Sequence, residues 1–144
     1  MTAENVERAR AAWLGATDLF ELLARGPESV AEIFPALHPR VTTEFIGQSP
    51  ELAVSYEGID GLYEGWRDWL GPWSSYVIRM DDVYDTDTND VVVAGSAAAR
   101  TSRDGVLMEH RPAAILTFDE DGLITRVRFY VEVTDALRAA GLAD

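Results

Sequence analysis

The sequence predicts an α+β fold, with N-terminal helices packed on a strongly curved antiparallel or mixed β-sheet that encloses a pocket. Three observations predict it. The first half of the chain carries helical periodicity, densest in Tyr56–Trp73, where Leu62, Trp66, Trp69, Leu70 and Trp73 recur at three- and four-residue steps. The second half, from Ser75 onward, reads as strands separated by tight turns, with hairpin signals at Asp104-Gly105 and Asp121-Gly122. Its final strands are about ten residues long, a length that favours a bent sheet over a flat one.

Taken in order, the apolar stripe Val6, Ala9, Trp13, Ala16, Phe20 and Leu23 predicts a first helix over 3–24. Arg25-Gly26-Pro27 stops it and starts a second, whose Val30, Ile33, Phe34 and Leu37 face inward until Pro35 ends or kinks the ladder. Arg40–Ile46, rich in β-branched and aromatic residues, reads as a short strand. Leu52–Tyr56 leads into the tryptophan helix, which Gly58 and Asp60 can open and Gly71-Pro72 ends. Loss of a buried Trp69 from that helix carries an expected cost of about 3–5 kcal/mol. Strands follow over 76–85, 91–101, 106–118 and 123–133, and Thr134 or Asp135 caps a short terminal helix.

The chain has 144 residues, a length that suits a single domain over 1–144 with a core that needs no staples. It has no cysteine, hence no disulfide framework and no thiolate chemistry. With 25 acidic residues against 12 arginines and no lysine, its net charge is −13, which disfavours nucleic acid and anionic membranes as partners. No apolar run approaches the roughly 18 residues of a membrane span, and the N-terminus lacks a signal-peptide core. A cytoplasmic protein is the expectation.

The order helix, helix, short strand, helix, four-strand meander is that of the NTF2-like cone, and the residues sharpen the likeness. Tyr56-x-Gly58-x-x-Gly61-Leu62 followed by Trp66 and Trp69 resembles the third-helix signature of SnoaL-like proteins in that superfamily. Leu116-Thr117-Phe118, Asp121-Gly122-Leu123-Ile124 and Arg126–Tyr130 resemble their last hairpin. The resemblance covers nearly the whole chain and implies a pocket between the concave sheet face and the helices. The superfamily hosts isomerases, cyclases, epoxide hydrolases and binding modules, so it implies no single activity.

In ketosteroid isomerases, which share the cone, a carboxylate near the end of the first strand is the general base. Matching Phe45-Ile46-Gly47 to that region places Glu44 there. A carboxylate in an apolar cone has a raised pKa and can move protons near neutrality. Alternation groups Glu44 with Thr42 and Ile46 and leaves open whether that set faces in or out. The oxyanion donors of those enzymes fall at Ala114 and near Leu19 or Phe20, so both are missing. His110 shares a parity with Met108, Pro112, Ala114, Leu116 and Phe118, an otherwise apolar set that suits the cavity face. The run Gly95–Ala99, five small side chains, suits either open volume or close backbone approach.

Glu44 and His110 are therefore the candidate proton-transfer residues. Trp13, Phe20, Tyr56, Trp66, Trp69, Ala114, Leu116, Val127 and Phe129 are the candidate lining. The expected ligand is a small hydrophobic molecule, cyclic and polyketide-like or terpenoid-like. The expected chemistry is cofactor-independent isomerisation or cyclisation, with a non-catalytic binding or dimerisation module as the alternative. No metal site is expected: His38 and His110 are far apart, and Asp85–Asp90 lacks the glycine and glutamate a calcium loop needs. Arg111, Arg126, Arg128 and Tyr130 are the candidate face of a homodimer formed through the sheet.

Overall fold

The computed structural model describes residue 7 and residues 15–29, 36–46, 54–86 and 88–142. In chain order these form β1 (Gly15–Asp18), α1 (Leu19–Leu23), a 3-10 turn (Pro27–Ser29), β2 (Leu37–Ile46), β3 (Val54–Glu57), α2 (Gly58–Trp69), β4 (Trp73–Asp85), β5 (Asp90–Thr101), β6 (Leu107–His110), β7 (Ala113–Phe118), β8 (Ile124–Tyr130) and α3 (Val133–Ala139). One mixed sheet runs β1-β4-β5-β7-β8-β2-β3, with β6 paired to β5. β2 and β8 are parallel and the other described pairs antiparallel.

The tryptophan helix forms where the periodicity places it. Gly58 enters α2 at φ 78°, a left-handed conformation that favours glycine. Leu62 and Trp66 are buried on its sheet-facing side. The helix closes when the Leu70 N–H donates to Trp66 O, and Pro72 prevents continuation. Trp73 therefore opens β4 instead of extending the helical stripe.

The start of the chain departs from expectation. Residues 15–18 are not the end of a long helix but a strand on β4, and the helix begins only at Leu19. Asp18 is the reason for the boundary: its carboxylate accepts from the N–H groups of Phe20 and Glu21, an N-cap that starts a helix there. Trp13 and, apart from Glu7, the expected helical residues before it lie outside the described residues. The second helix is seen only as the turn Pro27–Ser29, and 30–35 also lie outside. The strand expected over 106–118 is two strands, β6 and β7, because Pro112 cannot donate to a ladder.

β4 and β5 form the long central pair, and their register slips between Met80 and Asp82, leaving Asp81 as an extra residue. Such a bulge bends a strand and increases its twist. Gly95 sits opposite that bend. A Cβ there would lie 1.7 Å from the Arg79 carbonyl oxygen. In the small-residue run, Gly95 thus serves close backbone approach, not open volume.

Two apolar layers flank the sheet. The concave layer joins Val41, Phe45, Tyr76, Ile78, Met80, Leu116, Val127 and Phe129 to α1 and α2. Its centre is a ring cluster: Phe45 lies 4.9 Å from Phe129 and 5.4 Å from Trp66, and Trp66 lies 4.5 Å from Phe129 between centroids. The opposite layer packs α3, through Ala136 and Leu137, onto Val92, Ala94, Ala113, Ile115 and Tyr130.

Candidate functional site

Strand alternation decides which polar residues meet on the concave face. On β2, Val41, Thr43 and Phe45 point into the concave layer, and Thr42, Glu44 and Ile46 point away. Glu44 is therefore not in the cone. Its Oε1 accepts from Arg126 Nε at 2.7 Å and lies 2.6 Å from Arg126 Nη2, on the opposite side of the sheet. A partly exposed ion pair of this kind contributes about 0.2–1 kcal/mol and activates nothing. Of the two candidate proton-transfer residues, Glu44 thus lies on the face of the sheet opposite to His110.

His110 does belong to the concave side. Pairing of β5 with β6 sets it opposite Ala97, and pairing of β4 with β5 sets Tyr76 opposite Ala99. The two side chains meet across the strands, with Tyr76 Oη 2.9 Å from His110 Nε2 and ring centroids 5.8 Å apart. Two tautomers satisfy this bond: in one the phenol donates to Nε2, in the other Nε2–H donates to the phenol oxygen. Tyr76 is 1% exposed and His110 is half-buried.

Burial sets the charge state of both. Burial lowers the His110 pKa, opposed by the negative charge of Glu132, so the imidazole is neutral at pH 7. Burial pushes the Tyr76 phenol up to about 12. The Trp69 indole N–H, near the phenol but outside hydrogen-bonding geometry, partly counters that rise. The sheet beside the pair carries the short side chains Ala97, Ala99 and Ala114. The arrangement is a neutral base against a protonated phenol, in apolar surroundings. It can accept, donate or pass on a proton, and it can orient one oxygen or nitrogen of a ligand.

The Tyr76 shift has a measurable consequence. The folded state holds the phenol proton more tightly than the unfolded chain, whose tyrosines titrate near 10. The stabilising contribution is therefore complete below about pH 10 and lost as pH rises from about 10 to about 12. In Tyr76→Phe, the alkaline fall in stability is expected to be shallower over that window. An identical alkaline profile in both proteins would overturn the assignment.

The other candidate residues separate into groups. Ala114, Leu116 and Val127 are fully buried on the concave face, and Trp66 and Phe129 pack on each other there. Trp69 is partly exposed at the edge of the same layer, 5.5 Å from the Phe45 ring. Tyr56 is half-buried, packs edge-on against Phe45 and donates its hydroxyl to Asp68 at 2.7 Å; burial and that bond raise its pKa to about 12. Phe20 is on α1 and lines a separate open cleft of about 350 Å³ with Tyr63 and Trp73. Thr43 Oγ1 is buried on the concave face with no hydrogen-bond partner.

Tyr76 was not among the expected residues. Its parity with Ile78 and Met80 was a usable signal, but the bulge at Asp81 conceals the register that brings it to His110. The residues expected at a dimer face have partners within the chain. Arg126 binds Glu44, Arg128 Nη2 donates to Asp90 Oδ2 at 3.1 Å, Arg111 lies 3.6 Å from Asp82, and Tyr130 is covered by α3. His38 plays a local role, its Nδ1 accepting from the Arg40 N–H. The 85–90 turn is organised by Thr86, whose hydroxyl donates to Asp90 O at 2.7 Å. Among the described residues there is no His, Cys, Asp and Glu cluster able to hold a metal ion, and no helix long and apolar enough to cross a membrane.

A curved mixed sheet with α2 across its concave face is shared with solved structures. An NTF2-like protein from Burkholderia thailandensis superposes with a TM-score of 0.61 at 17% identity, covering 94% of this chain and 95% of that one. The chain has the NTF2-like fold. A ketosteroid isomerase-like protein from Catenulispora acidiphila, solved in complex with trimethylamine, gives 0.56 at 15% identity over 99% and 95%. TerC, co-crystallised with polyporic acid, gives 0.61 at 18% over 94% and 96%. No protein-family model and no curated protein matches the chain. At these identities the NTF2-like likeness is one of fold.

Proposed function

We propose that this NTF2-like protein binds a small hydrophobic molecule against the concave sheet face, and that the Tyr76–His110 pair handles a proton there. The observation that carries the reading is the 2.9 Å bond between a buried phenol and a neutral imidazole in an apolar layer. Buried polar pairs of this kind are where pKa values are set for acid–base work. Binding of polyporic acid by TerC and of trimethylamine by the Catenulispora protein supports a fold that accepts small organic molecules. The proposed ligand class is cyclic and polyketide-like or terpenoid-like, and the proposed reaction is cofactor-independent isomerisation or cyclisation. His110 is the base, Tyr76 orients it, and the Trp66, Trp69 and Phe129 rings form the apolar wall.

Exchange of hydrogen for deuterium at the acidic carbon of a bound cyclic ketone tests this. The native protein is expected to accelerate exchange in 2-tetralone, and His110→Gln to lose about 10²–10⁴ of that acceleration while still binding the ketone. Equal exchange in both proteins would remove His110 from the chemistry.

The second reading is a non-catalytic binding module. It is favoured by the placement of Glu44 away from the cone, where it pairs with Arg126. Binding of 2-tetralone with no acceleration in either protein would establish it. A homodimer through the sheet belongs to the same proposal, supported by Val77 and Leu107, which are exposed on the face turned from the core.

A further inference from the structure

The open cleft between α1 and α2 borders the concave layer through Leu23, Leu70 and Trp73, whose ring lies 5.8 Å from that of Tyr76, but its chemistry differs from that of the Tyr76–His110 pair. Its volume of about 350 Å³ is within the range of small-molecule sites. Three rings, Phe20, Tyr63 and Trp73, line it, and one charge, Arg67, stands at its edge. The Tyr63 hydroxyl donates to Leu23 O at 3.1 Å, tying α2 to α1 and fixing the cleft's width. The Arg67 guanidinium lies 5.8 Å over the Tyr63 ring. A guanidinium over a ring is attracted by the ring's negative face and keeps N–H groups for an acceptor. Arg67 has no ion pair among the described residues, although Glu64 and Asp68 border it. Asp68 accepts the Tyr56 hydroxyl through Oδ2 and keeps its charge, so two carboxylates lie beside the guanidinium without closing an ion pair on it. An apolar aromatic slot ending in an unspent planar cation matches one ligand chemistry, a flat ring carrying a carboxylate.

We infer that this cleft is a second binding site, taking a small aromatic carboxylate with its ring among Phe20, Tyr63 and Trp73 and its carboxylate on Arg67. The ring supplies most of the affinity by leaving water, and the guanidinium supplies discrimination against the uncharged analogue. Glu64 and Asp68 both limit the electrostatic gain, so the preference for the anion is modest.

The test uses 2-naphthoate and naphthalene as probes of the full chain, read by quenching of tryptophan fluorescence and by calorimetry. Naphthoate is expected to bind saturably, and Arg67→Met to weaken it by about fivefold while leaving naphthalene unchanged. Ala24→Trp, an exposed position that fills the cleft, is expected to abolish binding of both. His110→Gln and Tyr76→Phe are expected to leave naphthoate affinity unchanged. The inference is overturned if naphthoate fails to bind, if Arg67→Met binds it as tightly as the native protein, or if Ala24→Trp still binds it. Loss of naphthoate in His110→Gln but not in Ala24→Trp would assign the ligand to the concave face and also overturn it. Because the cleft variants leave Tyr76 and His110 untouched, this outcome is independent of the exchange experiment with 2-tetralone.

Discussion

Trp66→Ala is expected to lower the free energy of unfolding by about 3–5 kcal/mol, the usual cost of emptying a buried indole site. Trp66 is 3% exposed and touches both Phe45 and Phe129 through edge-on ring contacts. Its removal opens a void at the junction of α2, β2 and β8, where rigid rings cannot collapse inward. For a chain of this size the fall in Tm is roughly 10–15 °C. Chemical denaturation measures it directly, and a loss below about 1 kcal/mol would place the indole outside the core. The sequence expectation put the same cost on Trp69, but Trp69 is partly exposed, so its truncation is expected to cost less.

Gly95→Ala is the second large effect, and its cause is different. The added methyl group has no side chain to push aside. It meets the Arg79 carbonyl oxygen at 1.7 Å, the Arg79 carbonyl carbon at 2.6 Å and Met80 Cα at 2.7 Å, all backbone atoms of β4. Overfilling a packed site ordinarily costs about 1–3 kcal/mol, and a methyl group that must push apart a hydrogen-bonded strand pair belongs at or beyond the top of that range. Ala98→Ser, on the exposed side of the same strand, is the control and is expected to stay within about 0.5 kcal/mol. Equal stability of Gly95→Ala and Ala98→Ser in urea would show that β4 and β5 can separate at the bulge without penalty.

What could be read in the sequence was whatever local chemistry fixes. Helix α2 was legible because a three-and-four spacing of large rings ends in Gly71-Pro72. The hairpin at Asp104-Gly105 was legible because Gly105 adopts φ 66°, a conformation few other residues accept. That hairpin alone sets His110 opposite Ala97, so the inward placement of His110 was also within reach. The strand at 15–18 was not, because its apolar spacing fits a helix and only the distant edge of β4 converts it. The facing of Glu44 was undecidable locally. Each parity of β2 mixes polar with apolar residues, and the buried set includes Thr43, a hydroxyl with no partner. Tyr76 escaped because a one-residue slip at Asp81 shifts half of β4 relative to β5, and a slip of one exchanges the two faces.

The parallel pairing of β2 with β8 has a consequence for synthesis. The ion pair at that seam joins Glu44 to Arg126, 82 positions later. During translation Phe45 must wait for Phe129, so one flank of β2 stays open until β8 has left the ribosome. Closing so long a loop is slow. A nascent chain halted before residue 124 would expose this flank, and it is there that a chaperone would be expected to hold it.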